Sequence, residues 1–316
     1  ALLDRESGEV VKTWSEGSGR FINCVAVGDE LYVVGRAWEV DVVYRIYVFD
    51  SNLDVLNRVQ VYNASIGYIV YQDGYFYIGG AKWGNIGGQY RPVWYVEKRA
   101  SDLSLVAYRE IYDTEWVGVI VYNVGVNPVT GDVWAVGFYQ VGEILYPLVA
   151  ILDRDLNLKR LVQPPGYVGF FYDVCFDGEG NAYVSGFSGH STVTKFDKNG
   201  NYIKRYGGDI EDFILIICVK DRLYLFGYVP TTTNPTWQLV YEVIDMKTME
   251  RIRRVDLPIS NVNYVATSRP SSDGRYIYMV GFGYRTGGSS TWDSEIVVFA
   301  VPVVSTVRVV DSSGRP

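Results

Sequence analysis

One histidine, three methionines and three cysteines among 316 residues leave little material for metal or redox chemistry. The lone His190 cannot complete a histidine-rich metal site, and no CxxC spacing is present to hold zinc or carry a redox pair. The longest apolar run, FILIICV at 213–219, is strand-sized, far short of the roughly 20 residues of a spanning helix. Basic residues are outnumbered, 29 Lys and Arg against 36 Asp and Glu, so there is no concentrated positive surface for nucleic acid or an anionic membrane. GxSxG, HExxH and phosphate-loop motifs are missing, and no segment shows helical periodicity. These absences predict no cofactor, no metal, no nucleic-acid partner and no membrane-spanning element in this segment.

What is abundant is the flat, stiff side chain. Aromatics make up 15% of the chain, with 27 Tyr and 8 Trp, residues that suit a pleated, half-buried surface. The sparse His and Met beside plentiful Tyr and Val are also of the kind expected in a thermophile. A phrase recurs: GDELYVVG, GNAYVSGF and GRYIYMVGF each carry an aromatic three residues before a glycine. Six such glycines, Gly35, Gly80, Gly137, Gly186, Gly227 and Gly281, lie 45, 57, 49, 41 and 54 residues apart. A supersecondary unit repeating at this period marks a propeller or a solenoid.

Each unit reads as four strands. An apolar first strand meets a tight Gly/Asp/Asn turn, the phrase is the second strand, and a third ends in an acidic turn such as VAILDRDLN or VTKFDKNGN. Strands one and two are apolar nearly throughout, so both of their faces must be covered. Four-stranded antiparallel blades packed in a ring meet that demand. The predicted fold is all-β, a six-bladed β-propeller over residues 1–301. The N-terminal strand VVKTW would close the ring as the outer strand of the last blade. Residues 1–14 resemble a third-and-fourth-strand pair; if residues 303–310 complete the last blade instead, seven blades result.

Residues 172–208, YDVCFDGEGNAYVSGFSGHSTVTKFDKNGNYIKRYGG, resemble an NHL repeat and equally the SBBP-type propeller repeat of secreted prokaryotic proteins. VIDMKTMERIRRVDLP, within 240–258, is similar to the YVTN-type repeat of archaeal and bacterial surface proteins. The tail 302–316 resembles the first strand of an Ig-like surface module, which implies a chain cut at a domain boundary. The resemblance implies a scaffold architecture at an extracellular or cell-surface location, and it leaves activity open.

Function is expected on the face that carries the longer loops. These are the loops between strands two and three (36–44, 81–92, 138–147, 228–238 and 282–294) and those between successive blades. They hold the candidate binding residues Trp38, Trp83, Tyr90, Arg91, Tyr139, Trp237, Tyr284 and Trp292, the residue types of binding hot spots and of sugar-stacking platforms. The expected partner is a surface protein, an identical subunit or a polysaccharide, bound without catalysis. The alternative is a polysaccharide-active hydrolase or lyase using Asp113, Glu115 and Asp212 as acid and base, which needs two carboxyls within roughly 5–10 Å. Asp153-Arg-Asp155-Leu-Asn157 and Asp197-Lys-Asn199-Gly-Asn201 mimic the start of a calcium loop but lack its later ligands, so they read as hairpin turns. Cys24, Cys175 and Cys218 all fall on first strands. They read as buried free thiols filling space between blades, and whether Cys175 and Cys218, on neighbouring blades, come within disulfide range is left open by the sequence.

Overall fold

The computed structural model describes residues 2–3, 10–12, 19–38, 42–61, 64–207, 212–230, 237–256, 266–267, 270–272, 274–284 and 294–303. Five consecutive four-stranded antiparallel sheets follow the repeat. Blade one is Gly19–Val27, Glu30–Trp38, Val42–Phe49 and Val55–Val61. Blade two is Ala64–Gln72, Tyr75–Ile86, Gln89–Ala100 and Leu105–Ile111. Blade three is Gly118–Val126, Val133–Val141, Ile144–Leu152 and Leu158–Val162. Blade four is Phe170–Phe176, Ala182–Phe187, Ser191–Phe196 and Tyr202–Gly207. Blade five is Asp212–Val219, Arg222–Pro230, Trp237–Asp245 and Glu250–Asp256. In a sixth sheet Tyr276–Tyr284 pairs with Ser294–Pro302 on one edge and with the short pieces Ala266–Thr267 and Ser271–Ser272 on the other. The first strands of blades one to five lie against one another in succession, which places them innermost, as in a propeller.

The repeated phrase has a packing cause. Its aromatic, Tyr32, Tyr77, Trp134, Tyr183 or Tyr224, is buried in each of these five blades. Each such burial contributes on the order of 2 kcal/mol or more. Its glycine answers a backbone irregularity. In all five blades the first strand carries a one-residue bulge opposite that glycine, at Ile22, Gly67, Tyr122, Tyr172 and Ile214. The bulge pushes the chain toward the second strand, so a Cβ at Gly137 or Gly186 would collide with the carbonyl oxygen of Ile120 or Phe170.

Just after the bulge, buried polar side chains join blade to blade. Asn23 accepts the Ile69 N–H at 3.3 Å, Asn123 donates to Asp173, and Asp173 accepts the Ile216 N–H at 3.0 Å. The acidic turns are hairpin turns, as predicted. Asp153 accepts the N–H groups of Asp155 and Asn157, and Asp197 those of Asn199 and Asn201. Each turn ends in a left-handed residue that is buried: Leu53 (φ 59°), Leu103 (66°), Leu156 (64°) and Met249 (56°), with Gly200 in blade four. A left-handed non-glycine costs about 1–2 kcal/mol, and burial of the side chain offsets it.

Three expectations need correction. Cys175 and Cys218 are not free: they form a disulfide between blades four and five with Cα atoms 5.7 Å apart. Cys24 is free but solvent-accessible, and the strands around it desolvate the thiol enough to raise its pKa, which weakens it as a nucleophile. The segments 81–92 and 138–147 are not loops. They are extensions of strands two and three, closed by two-residue turns at Gly87-Gly88 and Gly142-Glu143. Glycines with φ of 59°, 83° and 59° at 87, 88 and 142 supply the left-handed conformations such turns demand. As for closure, Val10–Lys12 pairs with Leu2–Leu3; among the described residues it does not pair with the sixth sheet.

Candidate functional site

The end of the molecule that carries the strand-two-to-three hairpins is aromatic across blades two and three. The blade-two hairpin is the longest, two strands of 12 residues each. Its length follows from the Gly87-Gly88 turn, which continues the right-handed strand twist and needs no loop. Near its tip Trp83 and Tyr90 are 54% and 67% exposed, with rings 5.8 Å apart and only 5° from parallel. Trp83 faces Pro92 and Asn85 faces Tyr90 across the ladder, so the two rings form a diagonal cross-strand pair.

Arg91 fixes that hairpin to the next connection. Its Nη1 donates to the carbonyls of Thr114 and of Trp116 (3.3 Å to the latter), and its Nε donates to Gln89 Oε1 at 3.0 Å. Deeper in the hairpin Lys82 pairs with Glu110 at 2.9 Å, its ammonium within 5.5 Å of the Tyr95 and Tyr108 rings. Beyond Arg91 a second column begins. Tyr139 stacks between Trp116 (4.8 Å, 21°) and Tyr146 (5.2 Å, 18°) and donates to Gln163 Oε1 at 3.1 Å. Burial foremost, then Tyr146 and more weakly the Asp113 carboxylate, push the Tyr139 phenol above its ordinary value, so it is a hydrogen-bond donor throughout the neutral range. A third cluster lies toward the centre. Tyr122 and Tyr172, the bulge residues of blades three and four, sit 5.1 Å apart, and Phe170 lies 4.7 Å from Tyr172 and 5.7 Å from Phe187.

Of the predicted site residues, Trp83, Tyr90, Arg91 and Tyr139 are thus brought together on blades two and three. Asp113 and Glu115 lie in the connection between those blades, both exposed, with Asp113 Oδ1 accepting the Glu115 N–H at 3.0 Å. That carboxylate shapes a turn. Trp38, Trp237, Tyr284 and Asp212 are described only as strand-end backbone, and Trp292 lies outside the described residues. Asp173 is a buried link between blades. Trp116, Tyr146, Gln163, Tyr122 and Tyr172 were not predicted. The bulge turns Tyr122 and Tyr172 out of the alternation that sequence patterning assumes.

The opposite end holds a cavity of about 280 Å³ where the first strands of blades two to five finish. Tyr71, Gln72, Pro128, Phe176 and the Cys175–Cys218 disulfide line it. Among the described residues no group of three or more His, Cys, Asp or Glu is placed to hold a metal ion. No helix of the described residues is long and apolar enough to cross a membrane.

No protein-family model matches the chain, and no curated protein matches it in sequence. Solved structures do. The C-terminal WD40 domain of Sif2 is 9% identical with a TM-score of 0.51, over 87% of this chain and 69% of that one. The Dos1 propeller is 9% identical with a TM-score of 0.50, over 85% and 68%. Puromycin hydrolase is 14% identical with a TM-score of 0.50, over 89% of this chain and 52% of that one. At such identities the likeness concerns the fold, which is that of a β-propeller, a scaffold found in both enzymes and binding domains.

Proposed function

We propose that this chain is a non-catalytic, extracellular or cell-surface β-propeller that binds polysaccharide through the aromatic face of blades two and three. The observation that carries the reading is the Trp83–Tyr90 pair, two large parallel rings left open to solvent on a rigid hairpin. Contiguous exposed aromatic surface of this kind is a mark of interaction sites. The flat C–H faces of a sugar ring match the negative faces of aromatic rings. The polar fringe of Arg91, Asp113 and Gln163 supplies donors and acceptors for hydroxyls. The Cys175–Cys218 disulfide supports the extracellular location, since such bonds persist chiefly in oxidising compartments. The repeat is read as the NHL, SBBP or YVTN kind of secreted propeller.

The test is co-sedimentation of the purified chain with a panel of insoluble polysaccharides and cell envelopes, beside a Trp83→Ala/Tyr90→Ala variant. The expected result is binding that the variant loses by at least ~10-fold, the worth of one to two stacked rings, with unchanged thermal stability. Retention by the envelopes alone would assign the face to a protein partner. Release of soluble sugar would replace this reading with the hydrolase one, directed at Asp113 and Glu115.

A further inference from the structure

The N-terminal hairpin of Leu2–Leu3 and Val10–Lys12 repeats, in detail, the hairpin that joins strands three and four in every complete blade. In blade three Leu152 pairs with Leu158 and Ile151 with Arg160, so that the fourth strand advances two residues while the third advances one. The same step occurs at Phe49/Val55 then Val48/Asn57, Arg99/Leu105 then Lys98/Ala107, Phe196/Tyr202 then Lys195/Lys204, and Ile244/Arg251 then Val243/Arg253. At the N-terminus Leu3 pairs with Val10 and Leu2 with Lys12, the identical step, with six residues between Leu3 and Val10.

The hairpin also makes the contact that the fourth strands of blades three and four make with the blade that follows. Arg160 on blade three donates to Asn199 O at 3.0 Å and Asn201 Oδ1 at 2.8 Å, in the blade-four turn. Lys204 on blade four donates to Thr248 O at 2.7 Å, in the blade-five turn. Lys12 holds the register position of Arg160 and Lys204. It donates to Asp54 Oδ1 at 2.7 Å in the blade-one turn, and Asp54 stands where Asn201 stands, four residues after the turn's capping Asp. Val10–Lys12 therefore occupies the fourth-strand place of whatever blade precedes blade one. That blade is not the sixth sheet as described, whose third-strand place is already taken by Ser294–Pro302 along the whole of Tyr276–Tyr284.

We infer that Leu2–Lys12 is the outer half of a seventh blade, and that the inner edge of Leu2–Leu3 is a docking site for a two-stranded β-hairpin of this repeat type. Among the described residues that edge has no pairing. The register specifies the partner. In blades one to five the residue in Leu2's place lies opposite the phrase aromatic: Val48 faces Tyr32, Lys98 faces Tyr77, Ile151 faces Trp134, Lys195 faces Tyr183 and Val243 faces Tyr224. The docking hairpin thus carries an aromatic opposite Leu2, a glycine three residues later, and a bulged first strand that lies innermost.

The test adds such a hairpin in trans. A peptide of residues 170–187 with Cys175→Ser is labelled and titrated into the 316-residue chain, read by fluorescence anisotropy; saturable one-to-one binding is expected, and none overturns the inference. For register, the chain carries Leu2→Cys with Cys24→Ser, and three peptides carry a single cysteine at position 182, 183 or 184. In a glutathione buffer the Tyr183→Cys peptide is expected to couple at least tenfold faster than the Ala182→Cys or Val184→Cys peptides, because only directly opposed side chains come within bonding reach. Equal coupling at all three positions would overturn it. So would a disulfide between two Leu2→Cys chains that excludes the peptide, which would make the edge a contact between copies.

Discussion

Gly137 shows how a single residue type is dictated by the backbone around it. Its place opposite the Tyr122 bulge leaves no room for a methyl group against the Ile120 carbonyl, which is held by its own strand. Gly137→Ala is expected to destabilise the fold by about 2–3 kcal/mol in chemical denaturation. Gly178→Ala, in open space with no left-handed φ, is expected to be close to neutral. The turn aspartates are a second residue-scale device. The Thr248 N–H foremost holds the Asp245 carboxyl below its ordinary value, as the Asp54 N–H does at Asp50 and the Ser104 hydroxyl at Asp102. A carboxyl whose folded pKa is depressed adds stability that is complete above its unfolded value, near 4, and lost as pH falls through the folded one. Unfolding midpoints should therefore drop below about pH 4, and Asp245→Asn should flatten that acid limb without changing stability at pH 7 by as much as Gly137→Ala.

At the scale of the element, the first strands carry the joints between blades. The Cys175–Cys218 bond closes a sequence separation of 43 residues. Replacing both cysteines by serine should cost roughly 3–4 kcal/mol on the loop-entropy account, read as a lower thermal midpoint, and intact mass should show one disulfide and one free thiol. Strand order, hairpin turns and blade repeat were legible in the sequence because phrase, turn chemistry and period all point the same way. The disulfide was not, because Cys175 and Cys218 sit at different offsets from their glycines, 11 and nine residues, so the repeat does not place them at equivalent positions. The strand-two-to-three segments 81–92 and 138–147 read as loops because their length exceeds that of a tight turn, whereas two left-handed glycines at 87 and 88 let the ladder run on to its tip.

At the scale of the molecule, the two ends differ in kind. One end carries stacked aromatic side chains on blades two and three, the other a small cavity rimmed by a disulfide. Trp83, Tyr90, Arg91 and Tyr139 of the candidate face were legible, because they fall in the segments between strands two and three that vary while the phrase repeats. Trp116 and Tyr146 were not, since a stack is made by three segments that the sequence keeps 23 and 7 residues apart from Tyr139. The cation-to-turn contact seen at Lys12, Arg160 and Lys204 has a genealogical consequence. The N-terminal hairpin and blades three and four each present a cationic peg on one flank, and the turns of blades one, four and five receive it, while blades one and two carry Asn57 and Ala107 at the peg position. Within the run from blade three to blade five, a blade gained by duplication would meet neighbours that already fit it.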